Sequence, residues 1–309
     1  MSVLVPLYNH ERFVGDCLRS IAAQDYPRIE LLVADDCSTD GSLSAAKAAL
    51  RGLEDRFERV LVYSNRENLG VCGSLNGLIR LSCGSLVKAL ASDDILPPGA
   101  VSRLASHLQE YPEEGCVLSN VAMVAPDASY PSILDDNLAA HYATSPIPPQ
   151  GQAKALYEEG DNLLVSGLMV RRSLYERLGG YDESLSVEDW EWWLRIFSAG
   201  ERAGWCESVC ALYRIVPGSL SHPANTPESH RKLERTIRDE LRVLDRYGWI
   251  DGVDAREALR KFGDSRISAC LKAGYDEGVR YLLESLRERG VDPRPKTRLK
   301  ILLHRVGLY

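Results

Sequence analysis

The sequence predicts an α/β protein with a mainly parallel sheet covered on both faces by helices, followed by a helical C-terminal region. Two observations carry this. Over the first hundred residues, short apolar runs alternate with stretches of amphipathic helical spacing, and from Pro227 onward the pattern is helical alone. Strand–helix alternation requires crossover connections, and crossovers make neighbouring strands parallel.

In chain order, Val3–Val5 reads as a short buried strand. Residues 11–23 place Phe13, Val14, Cys17, Leu18 and Ile21 on one helical face. Residues 30–34 form a second strand, 42–53 a helix, 59–64 a third strand, 70–81 a helix and 86–90 a fourth strand. Residues 98–111 then predict a helix and 115–123 a strand. Residues 126–152, rich in Pro, Ser, Asp and Asn, show no period and read as a long functional loop. A strand is expected over 163–171, a short helix over 172–178 and a helix over 188–199. Beyond Pro227 the helical pattern breaks near 248–252 and 290–295. The division follows: a catalytic domain over 1–226, with a ligand-binding half at 1–100 and a second half at 101–226, then a helical region at 227–309.

The charge is uneven. Residues 1–227 carry 18 Lys+Arg against 30 Asp+Glu, and residues 228–309 carry 19 against 14, giving −12 and +5. An acidic body excludes nucleic acid as the main partner. Eight cysteines are scattered without a Cys-x-x-Cys pair, which suits free thiols in a reducing cytoplasm. No signal peptide is visible, and no apolar run approaches the ~20 residues of a membrane span. A cytoplasmic protein is expected.

Ligands of parallel sheets bind at the carboxyl ends of the strands. The loops at 6–10, 35–41, 65–70 and 91–95 all lie there and are expected to line one cleft. The last holds Asp93–Asp94, between the apolar run 85–92 and Pro97–Pro98. Adjacent carboxylates repel, and burial makes both harder to ionise. Alone, such a pair reads as a solvated turn or helix cap. Beside three other polar loops, it reads as a seat for a hard cation such as Mg²⁺ or Mn²⁺, which takes carboxylate and phosphate oxygens.

Five segments make one constellation. These are Val3-Leu-Val-Pro-Leu-Tyr-Asn9, Asp35-Asp36-Cys-Ser-Thr-Asp-Gly41, Asn65-Arg-Glu-Asn-Leu-Gly70, Ser92-Asp93-Asp94 and Val187-Glu188-Asp189-Trp190. In this order and spacing, with Gly179-Gly-Tyr-Asp-Glu183 before the last and Tyr213-Arg214 after it, the chain resembles the family 2 glycosyltransferases from residue 2 to about 220. The resemblance implies the GT-A fold, a Rossmann-like sheet, and an inverting transferase dependent on a nucleotide sugar and Mn²⁺ or Mg²⁺. It places Pro6 and Tyr8 at the nucleotide base, with Asn9 in the same loop. It gives Asp36 the N3 hydrogen of a uracil-like base, with Asp35 in support. Asp93 would hold the ribose or the metal, and Asp94 the metal. Asp189 would be the general base, with Glu188 positioning the acceptor or sharing that role. One base and no enzyme nucleophile means a single displacement and inversion at the anomeric carbon.

Three further readings complete the set. Lys88 in a buried strand needs a partner, and is expected to pair with Asp93/Asp94 or to reach a diphosphate. Of the aromatic run Trp190, Trp192 and Trp193, which also suits a core, Trp190 and Trp193 are candidates for the acceptor. Residues 287–305 hold seven basic residues and two acids among apolar ones, a pattern for peripheral contact with an anionic membrane through 287–309, where a lipid-linked saccharide acceptor would be met. A helix packed on the protein with a solvated basic face is the other reading. Ala91 stands where the family commonly has an acid, so the metal site rests on Asp93 and Asp94. A UDP-sugar is the expected donor, a saccharide or lipid-linked saccharide the acceptor, and surface-polysaccharide assembly the setting. Two alternatives stand beside this reading: an inactive scaffold of the same fold, and a sugar nucleotidyltransferase, which would need a Gly-rich basic loop where Pro6-Leu-Tyr-Asn-His-Glu11 stands.

Overall fold

In a computed structural model, residues 1–135, 152–159, 165–216 and 224–305 are described. The elements are β1 (Ser2–Leu7), α1 (Val14–Ala22), β2 (Glu30–Asp35), α2 (Ser42–Leu50), β3 (Arg59–Ser64), α3 (Gly70–Leu81), β4 (Leu86–Ala89), α4 (Ala100–Glu110) and β5 (Cys116–Val124). Then come α5 (Gln152–Glu159), β6 (Met169–Arg171), α6 (Arg172–Leu178), α7 (Glu188–Ser198), β7 (Ala203–Arg214), α8 (Pro227–Tyr247), α9 (Ala255–Lys272), α10 (Asp276–Glu288) and α11 (Pro295–Arg305). The seven strands form one sheet in the order β3-β2-β1-β4-β6-β5-β7. Only β6 runs antiparallel to its neighbours.

Two compact units emerge. One contains β1–β7 with α1–α4, α6 and α7; the other contains α5 and α8–α11. Against the expected division at 226/227, the first unit ends at Ile215, and α5 groups with the C-terminal helices. Its Tyr157 hydroxyl donates to Leu244 O at 2.8 Å, and Glu158 accepts from Asp254 N at the start of α9.

In the sheet unit, Val3, Val5 and Leu7 on one face of β1 pack with Val14, Cys17, Leu18 and Ile21 of α1 and Leu104 and Leu108 of α4, all buried. Burying one such side chain contributes roughly 1.5–3 kcal/mol, so this apolar pattern holds the central strands rigid. α3 covers the other face against β1 and β2. In the helical unit, Thr226 caps α8 by accepting from Ser229 N, and Asp254 caps α9 by accepting from Glu257 N.

Four expectations change. The strand expected over 163–171 is only Met169–Arg171, preceded by a 3₁₀ turn at Val165–Gly167. β7 was not expected at all, and α5 emerges at the end of a segment read as loop; residues 136–151 of that segment lie outside the described residues. The C-terminal helices break once more than expected, at Gly274 (φ +62°) between α9 and α10. No helix among the described residues is long and apolar enough to cross a membrane.

Candidate functional site

Hydrogen bonds knit the loops after β1, β2, β3 and β4 into one edge. Asn9, with a left-handed φ of 52°, donates its backbone N–H to Ser38 Oγ (3.0 Å), and its Oδ1 accepts from Thr39 N (2.8 Å). His10 N donates to Ser42 Oγ, and His10 Nδ1 lies 2.8 Å from Ser92 Oγ in the loop after β4. These contacts brace the β1 loop against its two neighbours. Asn9, expected to face a nucleotide, has its side-chain oxygen occupied by this bracing.

Asp36 is the centre of the second junction. Its Oδ1 accepts from Asn65 Nδ2 and from Leu69 N, both at 2.8 Å, and its carbonyl accepts from Asn68 Nδ2. One carboxylate oxygen thereby fixes the loop leading into α3, while Oδ2 has no donor among the described residues. Asp35 beside it accepts from Ser64 Oγ (2.8 Å) through Oδ2, and its buried Oδ1 is without a hydrogen-bond partner. Pro6 is half-buried on β1, and Tyr8 is exposed at the rim.

The acidic pair divides. Asp94 is 1% exposed: Oδ1 accepts from Arg214 N at 3.0 Å and Oδ2 from Ser166 Oγ. Burial and the neighbouring Asp93 carboxylate push its pKa up to about 7. Asp93 faces outward, its side chain 16% exposed and Oδ1 3.8 Å from His10 Nδ1. Both oxygens of Asp94, expected to lead in holding the metal, already accept from protein donors, and Asp93 is the more exposed of the two. Lys88, expected to pair with Asp93/Asp94 or to reach a diphosphate, lies within electrostatic reach of Asp94. Fully buried, it donates Nζ to Ala89 O (3.1 Å) and Ser166 O, and forms no ion pair with either Asp among the described residues. Burial lowers its pKa to about 8. Ser166 stands between Lys88 and Asp94.

Among the described residues, no group of three or more His, Cys, Asp or Glu side chains is placed to cage a metal. One outward carboxylate, Asp93, fits a hard cation that draws its other ligands from phosphates and water.

Glu188 and Asp189 open α7. Asp189 Oδ1 accepts from Trp190 N at 2.8 Å, and Glu188 is half-buried. Desolvation and the Asp189 charge push Glu188 up to about 8. The preceding segment is anchored on α3: Cys72 Sγ donates to Leu185 O, and Asn76 exchanges hydrogen bonds with Tyr181 N and O. The tryptophans, two of them acceptor candidates, pack in the core. Trp190 and Trp193 are buried, Trp193 stacked on Phe197 at 5.8 Å, and Trp192 stacks on Tyr175 at 4.7 Å. Arg195 donates to Glu191 Oε2 (2.6 Å) and Leu178 O, a structural role.

Three residues of the site escaped sequence reasoning. His10 follows Asn9 in a quoted loop, and Arg214 belongs to a quoted dipeptide, so both were visible without a role. Ser166 falls inside the strand expected over 163–171, and nothing there signalled a role for it.

With this geometry in hand, the sequence profile described as glycosyl transferase family 2 matches residues 2–179. EpsE of Bacillus subtilis (strain 168), named provisionally as a glycosyltransferase, is 26% identical over 218 residues, covering 70% of this chain and 72% of EpsE. Other relatives are matched over less of their length: 44% for TuaG of the same organism, named provisionally for teichuronic acid biosynthesis, and 31% for GlyA of Streptococcus pneumoniae. Among solved structures, S. aureus TarS in complex with UDP-GlcNAc has a TM-score of 0.55 at 17% identity, covering 95% of this chain and 93% of that one. The Pyrobaculum calidifontis mannosyltransferase PcManGT, in complex with GDP-Man and Mn²⁺, has a TM-score of 0.58 at 21% identity, covering 100% and 80%. These two likenesses establish the GT-A fold.

Proposed function

The chain belongs to glycosyl transferase family 2, and on that premise we propose that it is an inverting enzyme moving a single sugar from a nucleotide-sugar donor to a saccharide or lipid-linked saccharide acceptor. A UDP-sugar is the leading donor, and surface-polysaccharide assembly the setting. The observation that carries this reading is Asp36: one oxygen locks the β3–α3 loop while the other is left to accept a hydrogen bond at the carboxyl edge of the sheet. A uracil N3–H suits that acceptor, and a thymine offers the same group. Pro6 and Tyr8 line the base, and Asp35 supports Asp36 through Ser64.

Asp93 holds the divalent cation, Mn²⁺ or Mg²⁺, or the ribose, and Asp94 braces it from below. A cation bound there stabilises the charge that develops on the departing nucleoside diphosphate. Asp189 takes the proton of the acceptor hydroxyl, since Glu188 beside it is held protonated near neutral pH. A single base on the face opposite the diphosphate gives inversion. The same reading places the enzyme in the cytoplasm, with 287–309 touching an anionic membrane surface: Leu299 and Leu302 of α11 are 54% and 58% exposed.

The test is thermal unfolding with UDP, dTDP, GDP and CMP, each with and without Mn²⁺, on wild type and Asp93→Asn. A ligand at a hundred times its Kd adds about 2.7 kcal/mol. A metal-dependent rise with one nucleotide, lost in the variant, is expected. No rise with any nucleotide overturns the donor site.

A further inference from the structure

β7 carries two thiols for which the proposed reaction has no use. Opposite β5, Ser119 pairs with Cys206 and Val121 with Ala211, so β5 advances two residues while β7 advances five. The surplus is looped out as a bulge with Glu207 and Ser208 exposed at its tip. Along an unbroken strand, positions four apart are separated by roughly 13 Å. The bulge removes that separation: Cys206 lies opposite Ser119 and Cys210 falls between the partners of Asn120 and Val121, so the two thiols are drawn together along the strand, and both pack in the same apolar cluster.

The surroundings treat the two differently. Cys206 is half-buried, with a path to solvent, whereas Cys210 is fully buried behind it. α4 packs on β7, so that the charges of His107 and Arg103 act on Cys206 and Cys210 respectively. His107 is held by Glu114, Nε2 to Oε2 at 2.8 Å, and only a glycine at 204 leaves room for that pair against β7. Asn120 of β5 donates to Glu207 O and pins the bulge. The neighbouring Cys210 thiol, aided by Ser208 and His107, pulls Cys206 down to about 6, and Cys210 is itself pushed up. A thiolate that reaches solvent, backed by a protonated thiol, is the arrangement of a nucleophile and its resolving partner.

We propose that Cys206 and Cys210 form a redox-active thiol pair, with Cys206 attacking two-electron oxidants of the peroxide class and Cys210 closing the disulfide. The Cys206 sulfur forms a bond to one peroxide oxygen, the O–O bond breaks, and hydroxide leaves and is protonated to water. Cys210 then attacks the sulfenic sulfur, the S–S bond forms, and the hydroxyl leaves as a second water with the Cys210 proton. Two electrons from the two thiols reduce one peroxide.

The test uses the full chain, limiting hydrogen peroxide and peptide mass mapping. Wild type is expected to lose two hydrogens in a 206–210 cross-link that dithiothreitol reverses. Cys210→Ser is expected to stop at a sulfenic acid on Cys206 that dimedone traps. Iodoacetamide should alkylate Cys206 of the untreated protein about tenfold faster than the more exposed Cys37 and Cys83. Oxidation or alkylation of Cys37 or Cys83 ahead of Cys206, or exhaustion of the thiols without the cross-link, overturns the proposal.

Discussion

Arg214 holds Asp94 through its backbone rather than its charge: the Arg214 N–H donates to Asp94 Oδ1 at 3.0 Å while the guanidinium reaches elsewhere. Nε donates to Asp93 O at 2.8 Å, Nη1 to Pro126 O and Ala128 O, and Nη2 lies 3.6 Å from Asp16 Oδ2. The last strand of the sheet therefore fixes both members of the acidic pair, one by its main chain and one by its side chain.

Substituting Arg214→Lys keeps the charge and loses the fork. The carbonyls of Asp93, Pro126 and Ala128 cannot all be satisfied by one ammonium. A loss of roughly 2–4 kcal/mol is expected, because a buried network is broken on one side. Chemical denaturation checks it, and an unchanged midpoint would contradict the clamp.

Asp93 and Asp94 should fail differently. Asp93→Asn is expected to fold normally and to lose the metal-dependent part of nucleotide stabilisation. Asp94→Asn keeps one oxygen for the Arg214 N–H and sets an amide donor against Ser166 Oγ, which must then accept rather than donate, and should cost about 1–3 kcal/mol of stability. Calorimetric titration of Mn²⁺ with the matching nucleotide separates them. Loss of metal response in Asp94→Asn alone would return the leading ligand role to Asp94.

That division could not be read from the sequence. Two adjacent aspartates are equivalent there, and which one turns inward depends on Ser166, 72 residues away, and Arg214, 120 residues away. The early elements were legible because Val14, Cys17, Leu18 and Ile21 repeat at helical spacing, and Leu31–Ala34 form an unbroken apolar run. β7 was not, because the bulge between Cys206 and Ala211 destroys the alternation that marks a strand. The tryptophans of α7 read two ways: such an aromatic run is more often core than sugar platform, and the packing of Trp192 on Tyr175 and Trp193 on Phe197 agrees with the core.

The Glu188–Asp189 pair sets a pH dependence. The folded-state pKa of Glu188 lies above its unfolded value, so the native state holds a proton that the unfolded chain releases first. Its stabilising contribution is complete below the unfolded pKa, near 4.5, and is lost as pH rises through about 8. Glu188→Gln should flatten that decline and keep most activity, whereas Asp189→Asn should lower kcat by roughly 10²–10⁴. Denaturation midpoints at acid and alkaline pH, with kcat for both variants, test this. A larger kcat loss in Glu188→Gln than in Asp189→Asn would reverse the assignment of the base.

Membrane contact through 287–309 is expected to be driven by apolar burial more than by charge. Arg289 pairs with Asp245, Arg294 with Glu257 and Asp264, and Arg298 with Asp292, while Lys300 donates to Ser268 Oγ. Basic residues that neutralise their own unit's acids have little left for an anionic leaflet. Leu299 and Leu302 instead stand exposed on α11, whose Thr297 and Ile301 are buried. Co-sedimentation with anionic vesicles should therefore weaken only modestly from low to high salt, and Leu299→Ser with Leu302→Ser should release the protein. Wild type remaining in the supernatant at low salt would remove the membrane from the reading and leave α11 as a packed helix with a solvated face.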